Sequence, residues 1–93
     1  MKKRILIVED NIALSHIQKD WLEREGYSVA TAMNEPFAHK LLRKERFDLI
    51  LSDVRLPQGD GIHLLEWIGK EKMDIPFVIM TEYASICLLY TSD

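Results

Sequence analysis

Three short apolar runs, each ending on an oxygen-bearing residue, constrain this chain more than anything else in it. They are Ile5-Leu6-Ile7-Val8 before Glu9-Asp10, Leu49-Ile50-Leu51-Ser52 before Asp53, and Phe77-Val78-Ile79-Met80 before Thr81. Runs of four or five residues rich in Ile, Val and Phe, separated by stretches long enough for a crossover helix, predict buried parallel strands. Parallel strands share one carboxyl rim, and ligands of open α/β sheets bind in the crevice beyond it. Glu9, Asp10, Asp53 and Thr81 are therefore expected to converge although they are scattered in sequence. Three carboxylates and a hydroxyl are hard oxygen donors, which suit Mg2+ and phosphoryl groups.

The segments between the runs carry helix signals. After the first run, Asp10 or Asn11 is placed to cap a helix with apolar positions Leu14, Ile17, Trp21 and Leu22, and Gly26 is placed to close it. Tyr27 to Ala32 reads as a strand of weaker apolar character, suited to a sheet edge. Asn34 is the next cap, Pro36 falls in a first turn, and Phe37, Ala38, Leu41 and Leu42 form a stripe for burial. A loop from Val54 to Gly61 leads to Asp60 as the cap of a third helix, with Leu64, Leu65 and Ile68 facing inward; Pro76 introduces the run that ends at Thr81. The order is βαβαβαβ, an α/β fold with helices on both faces of a doubly wound parallel sheet.

At 93 residues the chain has room for one domain. A formal net charge of −3 with dispersed basic residues argues against nucleic acid as a direct partner. Met1-Lys2-Lys3-Arg4 leads into only four strongly apolar residues, too few for a signal peptide, and no stretch has transmembrane length, so no membrane partner and a cytoplasmic location are expected. The single cysteine, Cys87, excludes an internal disulfide. His16, His39 and His63 lack ligand spacing in sequence. From Cys87 onward charge, helical periodicity and turn chemistry all lapse until the final residue, Asp93.

Taken together, ILIVEDN, LILSDVRLPQGDG and PFVIMTEYAS resemble the receiver domain of bacterial response regulators, the phosphoacceptor modules of two-component systems, from about Lys3 to Ile86. The wording of LSDVRLPQGDG and MTEYASI is closest to receivers that precede an AAA+ transcriptional activator. The resemblance implies a flavodoxin-like sheet of strand order 2-1-3-4, with the fifth strand missing. Residues 1–86 are then an incomplete receiver domain and 87–93 an atypical tail outside it. It further implies that Asp53 accepts a phosphoryl group from a sensor histidine kinase. Asp10, Asp53 and the backbone carbonyl of Arg55 would hold Mg2+, with Glu9 reaching it through water, and Thr81 would bind a phosphoryl oxygen and act as the switch. The lysine that receivers carry on their fifth strand has no counterpart here, Glu82 stands where the family places a small residue, and the downstream effector domain is absent from the chain.

Such a module is a signalling domain that promotes its own aspartyl phosphorylation, not an enzyme with a turned-over substrate. A fragment that has lost phosphorylation and acts as an interaction module is the alternative. A metal-dependent phosphatase would want a second aspartate two residues beyond the first, but Arg55 follows Asp53 at that spacing and Ile12 follows Asp10. A phosphate-cradling cofactor site would be repelled by Glu9-Asp10, and neither G-x-G-x-x-G nor a Walker A sequence is present.

Overall fold

The computed structural model describes residues 2–53, 55–56, 59–80 and 86–89, with side chains at 2–53 and 61–80. The predicted alternation is found: β1 (Arg4–Val8), α1 (Ile12–Arg24), β2 (Ser28–Ala32), α2 (Glu35–Lys44), β3 (Leu49–Asp53), a two-residue ladder of β4 (Arg55–Leu56) and β5 (Gly59–Asp60), α3 (Gly61–Lys70), β6 (Phe77–Met80) and β7 (Ile86–Leu89). The main sheet runs β2-β1-β3-β6-β7. Its first four strands are parallel and have the expected order 2-1-3-4, with β2 at the edge.

Beyond them the expectation of a missing fifth strand is corrected in one respect. Ile86–Leu89 occupies a fifth position, but it runs antiparallel to Phe77–Met80, pairing Met80 with Ile86 and Phe77 with Leu89. The parallel strand that the receiver pattern implies is thus not among the described residues. An uncharged run such as Ile86 to Leu89 suits an edge because, with no helical periodicity to hold it elsewhere, the open hydrogen-bonding groups of β6 offer it partners. The boundary expected at residue 86 falls inside this strand.

Local chemistry sets the helix ends. Asn11 accepts the Leu14 amide at 3.0 Å and Asn34 accepts the Phe37 amide at 2.9 Å, each satisfying a donor that the first turn leaves open. Gly26 takes φ +99°, and the Gly26 and Tyr27 amides donate to Glu23 and Leu22, the paired bonds of a Schellman ending.

Most of the core lies between the sheet and helices α2 and α3, where Leu6, Val8, Ile50, Phe77, Leu64 and Ile68 are fully buried. At about 1.5–3 kcal/mol for each large apolar side chain, this face supplies most of the hydrophobic stabilisation. Ala38, Leu42, Leu64 and Ile68 point inward as predicted, and Leu41 and Leu65 pack at the margin. Phe37, expected in the α2 stripe, is half exposed.

On the other face the predicted α1 stripe is corrected more deeply. Ile17 and Trp21 are 66% and 64% exposed, and Leu14 is exposed as well. The line turned toward the sheet is Ser15, Gln18 and Leu22, and the Gln18 amide reaches Met80 Sδ at 3.3 Å. Apolar residues occupy more of the α1 circumference than one sheet contact covers. At about 100° per residue, burying Leu22 carries Trp21 out of the contact.

Candidate functional site: an acidic rim at the ends of β1 and β3

The register of the parallel strands assembles the site. Val8 pairs with Ser52 and Asp53 with Met80, so the residues that follow β1 and close β3 reach one edge together. The Glu9 amide continues the ladder by donating to the Ala32 carbonyl at 2.9 Å, which holds Glu9 at that edge. Carboxylate oxygens of Glu9, Asp10 and Asp53 all lie within 4.8 Å of one another. Glu9 is 3% exposed, Asp53 partly buried and Asp10 exposed, so solvent reaches the cluster chiefly at Asp10.

Burial pushes the Glu9 carboxyl up to about 7; a hydrogen bond with the Asp10 side chain and the charges of Asp53 and Asp10 push the same way, against the Asn11 amide. That amide donates to Glu9 Oε2 at 3.1 Å. Two carboxylates about 4 Å apart repel by ~4 kcal/mol at an effective dielectric near 20, so three of them hold either a proton or a cation. A small hard cation fits a donor set that consists only of carboxylate oxygens.

Two residues that the strand-end pattern does not single out shape the turn after Asp53. Ser52, fully buried, donates its hydroxyl to the Asp53 carbonyl at 2.9 Å. Gly61, the buried first residue of α3, sits so close that an added Cβ would lie 2.6 Å from that carbonyl oxygen. The hydroxyl and the glycine thus both bear on the Asp53 carbonyl. Only the two glycines of the loop, Gly59 and Gly61, hint at such an approach in sequence.

The structure brings together Glu9, Asp10 and Asp53. Arg55 lies two residues beyond Asp53 in β4, where its backbone pairs with Asp60. Thr81 and Glu82 lie outside the described residues, as does the tail from residue 90 to Asp93. No helix among the described residues is long and apolar enough to cross a membrane.

A sheet of this order with acids at the ends of its first and third strands defines a flavodoxin-like α/β domain with an acidic rim. The response regulator receiver domain profile matches residues 5–89, and the chain belongs to that family. The transcriptional regulatory protein ZraR of Klebsiella oxytoca is 40% identical over 82 residues, which cover 88% of this chain and 18% of that protein. The chain therefore spans less than a fifth of that relative's length. Among solved structures, the non-phosphorylated HemR receiver domain from Leptospira biflexa superposes with a TM-score of 0.82 at 42% identity, covering 90% of this chain and 68% of that one. The response regulator TrrA from Thermotoga maritima, solved in complex with Mg2+ and BeF, gives 0.82 at 33% identity, covering 88% and 71%.

Proposed function

We propose that this chain is the phosphoacceptor receiver module of a cytoplasmic two-component system and that Asp53 carries the phosphoryl group. The observation that supports this most is the convergence of Glu9, Asp10 and Asp53 within 4.8 Å at the carboxyl rim. In the reaction, an Asp53 carboxylate oxygen attacks the phosphorus of a phosphohistidine on a sensor histidine kinase. The P–N bond breaks, an acyl phosphate forms, and the departing imidazole takes up a proton. Mg2+ supplies charge neutralisation for the transferring oxygens when bound, and Asp10, Asp53 and the Arg55 carbonyl are the groups assigned to hold it, with Glu9 acting through water. Ser52 and Gly61 keep the Asp53 backbone in place, so that the carboxylate is presented without first being ordered. Thr81 is assigned to the phosphoryl oxygen and to the conformational output. For the effector that reads this output, the wording of the Asp53 loop favours an AAA+ transcriptional activator.

Incubation with acetyl phosphate and Mg2+ followed by intact-mass measurement tests the assignment. One phosphoryl adduct is expected on the parent chain and none on Asp53→Asn or in excess EDTA. An adduct that persists in Asp53→Asn removes Asp53 from the role. Complete inertness of a folded, Mg2+-bound parent favours the interaction-module reading instead.

A further inference from the structure

His39 and His63 are 24 positions apart, yet both meet Glu35, a buried acid that phosphoacceptance does not use. Glu35 opens α2 and is 3% exposed. His63 Nδ1, from the first turn of α3, lies 2.5 Å from Glu35 Oε2, and His39 Nε2 lies 2.9 Å from the same oxygen. Of these two contacts only that of His63 is aligned as a hydrogen bond, and Glu35 Oε1 has no hydrogen-bond partner among the described residues. A buried carboxylate is costly unless it is paired, so His63 carries much of the compensation for Glu35.

One turn farther along both helices the His39 ring stacks on Trp67 with centroids 4.0 Å apart and planes within 9°. The Arg43 guanidinium lies 5.4 Å from the centroid of the same indole. Residues 35, 39 and 43 of α2 thus meet 63 and 67 of α3 at successive i, i+4 positions, which fixes how far one helix slides along the other. This rack ends two residues from Gly61, whose backbone abuts the Asp53 carbonyl with no room for a methyl group. Sliding or lifting the start of α3 would move the wall against which the Asp53 turn is set.

We propose that the hydrogen bond between Glu35 and His63 is a clasp that positions the Asp53 turn through Gly61, making His63 a positioning residue for cation binding at the acidic rim. The consequence for cation binding rests on the receiver reading; the mechanical link from Glu35 to Gly61 does not. The side chain of His63 is 65% exposed, so its replacement is tolerated sterically. Asparagine places an N–H near the position of the imidazole Nδ1, whereas alanine places none.

Three variants, His63→Ala, His63→Asn and Leu42→Val, are compared with the parent by Mg2+ titration calorimetry and by the backbone amide resonances of Asp53 and Gly61. In His63→Ala the Mg2+ dissociation constant should rise about fivefold and the Gly61 and Asp53 amides should shift, as expected when one member of a coupled network is removed. His63→Asn should recover the parent amide positions and bind within about twofold of it. Leu42→Val, which loosens the core at the far end of α2, should lower the thermal midpoint and leave the Mg2+ affinity in place. Unshifted Gly61 and Asp53 amides in His63→Ala would overturn the clasp, as would equal losses in the alanine and asparagine variants. A parent chain that takes up no Mg2+ contradicts the receiver reading, while the amide shifts still decide the clasp.

Discussion

Adding one methyl group at Gly61 should damage this protein although the same change two helical turns later should help it. An ideal Cβ at Gly61 falls 2.6 Å from the Asp53 carbonyl oxygen, 3.2 Å from Ser52 Oγ and 3.4 Å from the Asp53 carbonyl carbon. Ordinary contact begins near 3.4 Å, so the carbonyl and the start of α3 must separate by about 0.8 Å. The obstructing atom belongs to the backbone and is held by the Ser52 hydroxyl, so no side-chain rotation relieves the overlap. Overpacking of this kind costs about 1–3 kcal/mol. Better helix propensity returns at most about 1 kcal/mol of that, since the gain of alanine over glycine is smaller at a helix end. Gly61→Ala should therefore be less stable by about 1–2 kcal/mol. Its Mg2+ affinity and rate of phosphorylation by acetyl phosphate should fall as well, because the displaced carbonyl belongs to Asp53, the proposed phosphoacceptor. Gly69, in the last turn of the same helix, has nothing within 4 Å of an added Cβ, and Gly69→Ala should be more stable by about 0.5 kcal/mol. Urea unfolding of the pair measures both signs. A Gly61→Ala chain as stable as the parent with full phosphorylation, or equal losses at both glycines, would refute the reasoning.

Millimolar Mg2+ should raise the thermal midpoint of the parent, with ~2.7 kcal/mol gained at one hundred times the dissociation constant, and the rise should shrink in Asp10→Asn. An unchanged midpoint in calorimetry would contradict the metal site. In the metal-free chain the Glu9 carboxyl stands at about 7 against an ordinary 4.5, so between those values the folded state holds a proton that the unfolded state releases. Its contribution is therefore fully present below 4.5 and lost as pH rises through 7, a loss of up to about 3 kcal/mol, and Glu9→Gln should flatten that part of the stability profile measured in EDTA. The corrected orientation of α1 predicts that Ile17→Ala changes stability by no more than about 0.5 kcal/mol, whereas Leu64→Ala, fully buried, loses about 2–5 kcal/mol in denaturant unfolding.

How far residues betray structure differs from element to element. The three apolar runs announce β1, β3 and β6 because a strand buried on both faces has no reason to alternate, and a shared carboxyl rim then follows from parallel pairing alone. Asn11, Asn34 and Gly26 mark helix ends for equally local reasons, a side-chain acceptor for an open amide and a backbone that tolerates positive φ. The acidic trio was legible because each acid abuts a strand. Contacts set by the packing of one helix on another were not legible in this way. The histidines show no ligand spacing, and only the register of α2 against α3 carries His39 and His63 to Glu35. Gly61 resembles any loop glycine until its distance to the Asp53 carbonyl is known. For α1, an apolar arc broader than a single contact left the inward face undetermined, and tertiary packing selected Ser15, Gln18 and Leu22. The antiparallel β7 comes from a run with no periodicity to read, where an open strand edge supplies the order.

The central claim, that Asp53 becomes an acyl phosphate, is tested most directly by chemical trapping at that residue. Borohydride reduces an aspartyl phosphate to homoserine, and peptide mapping then identifies the position that was modified. After treatment with acetyl phosphate and Mg2+, homoserine is predicted at residue 53 alone, and at no position when Mg2+ is withheld. Homoserine at residue 10 instead, or phosphate retained on a histidine with residue 53 unchanged, would contradict the account.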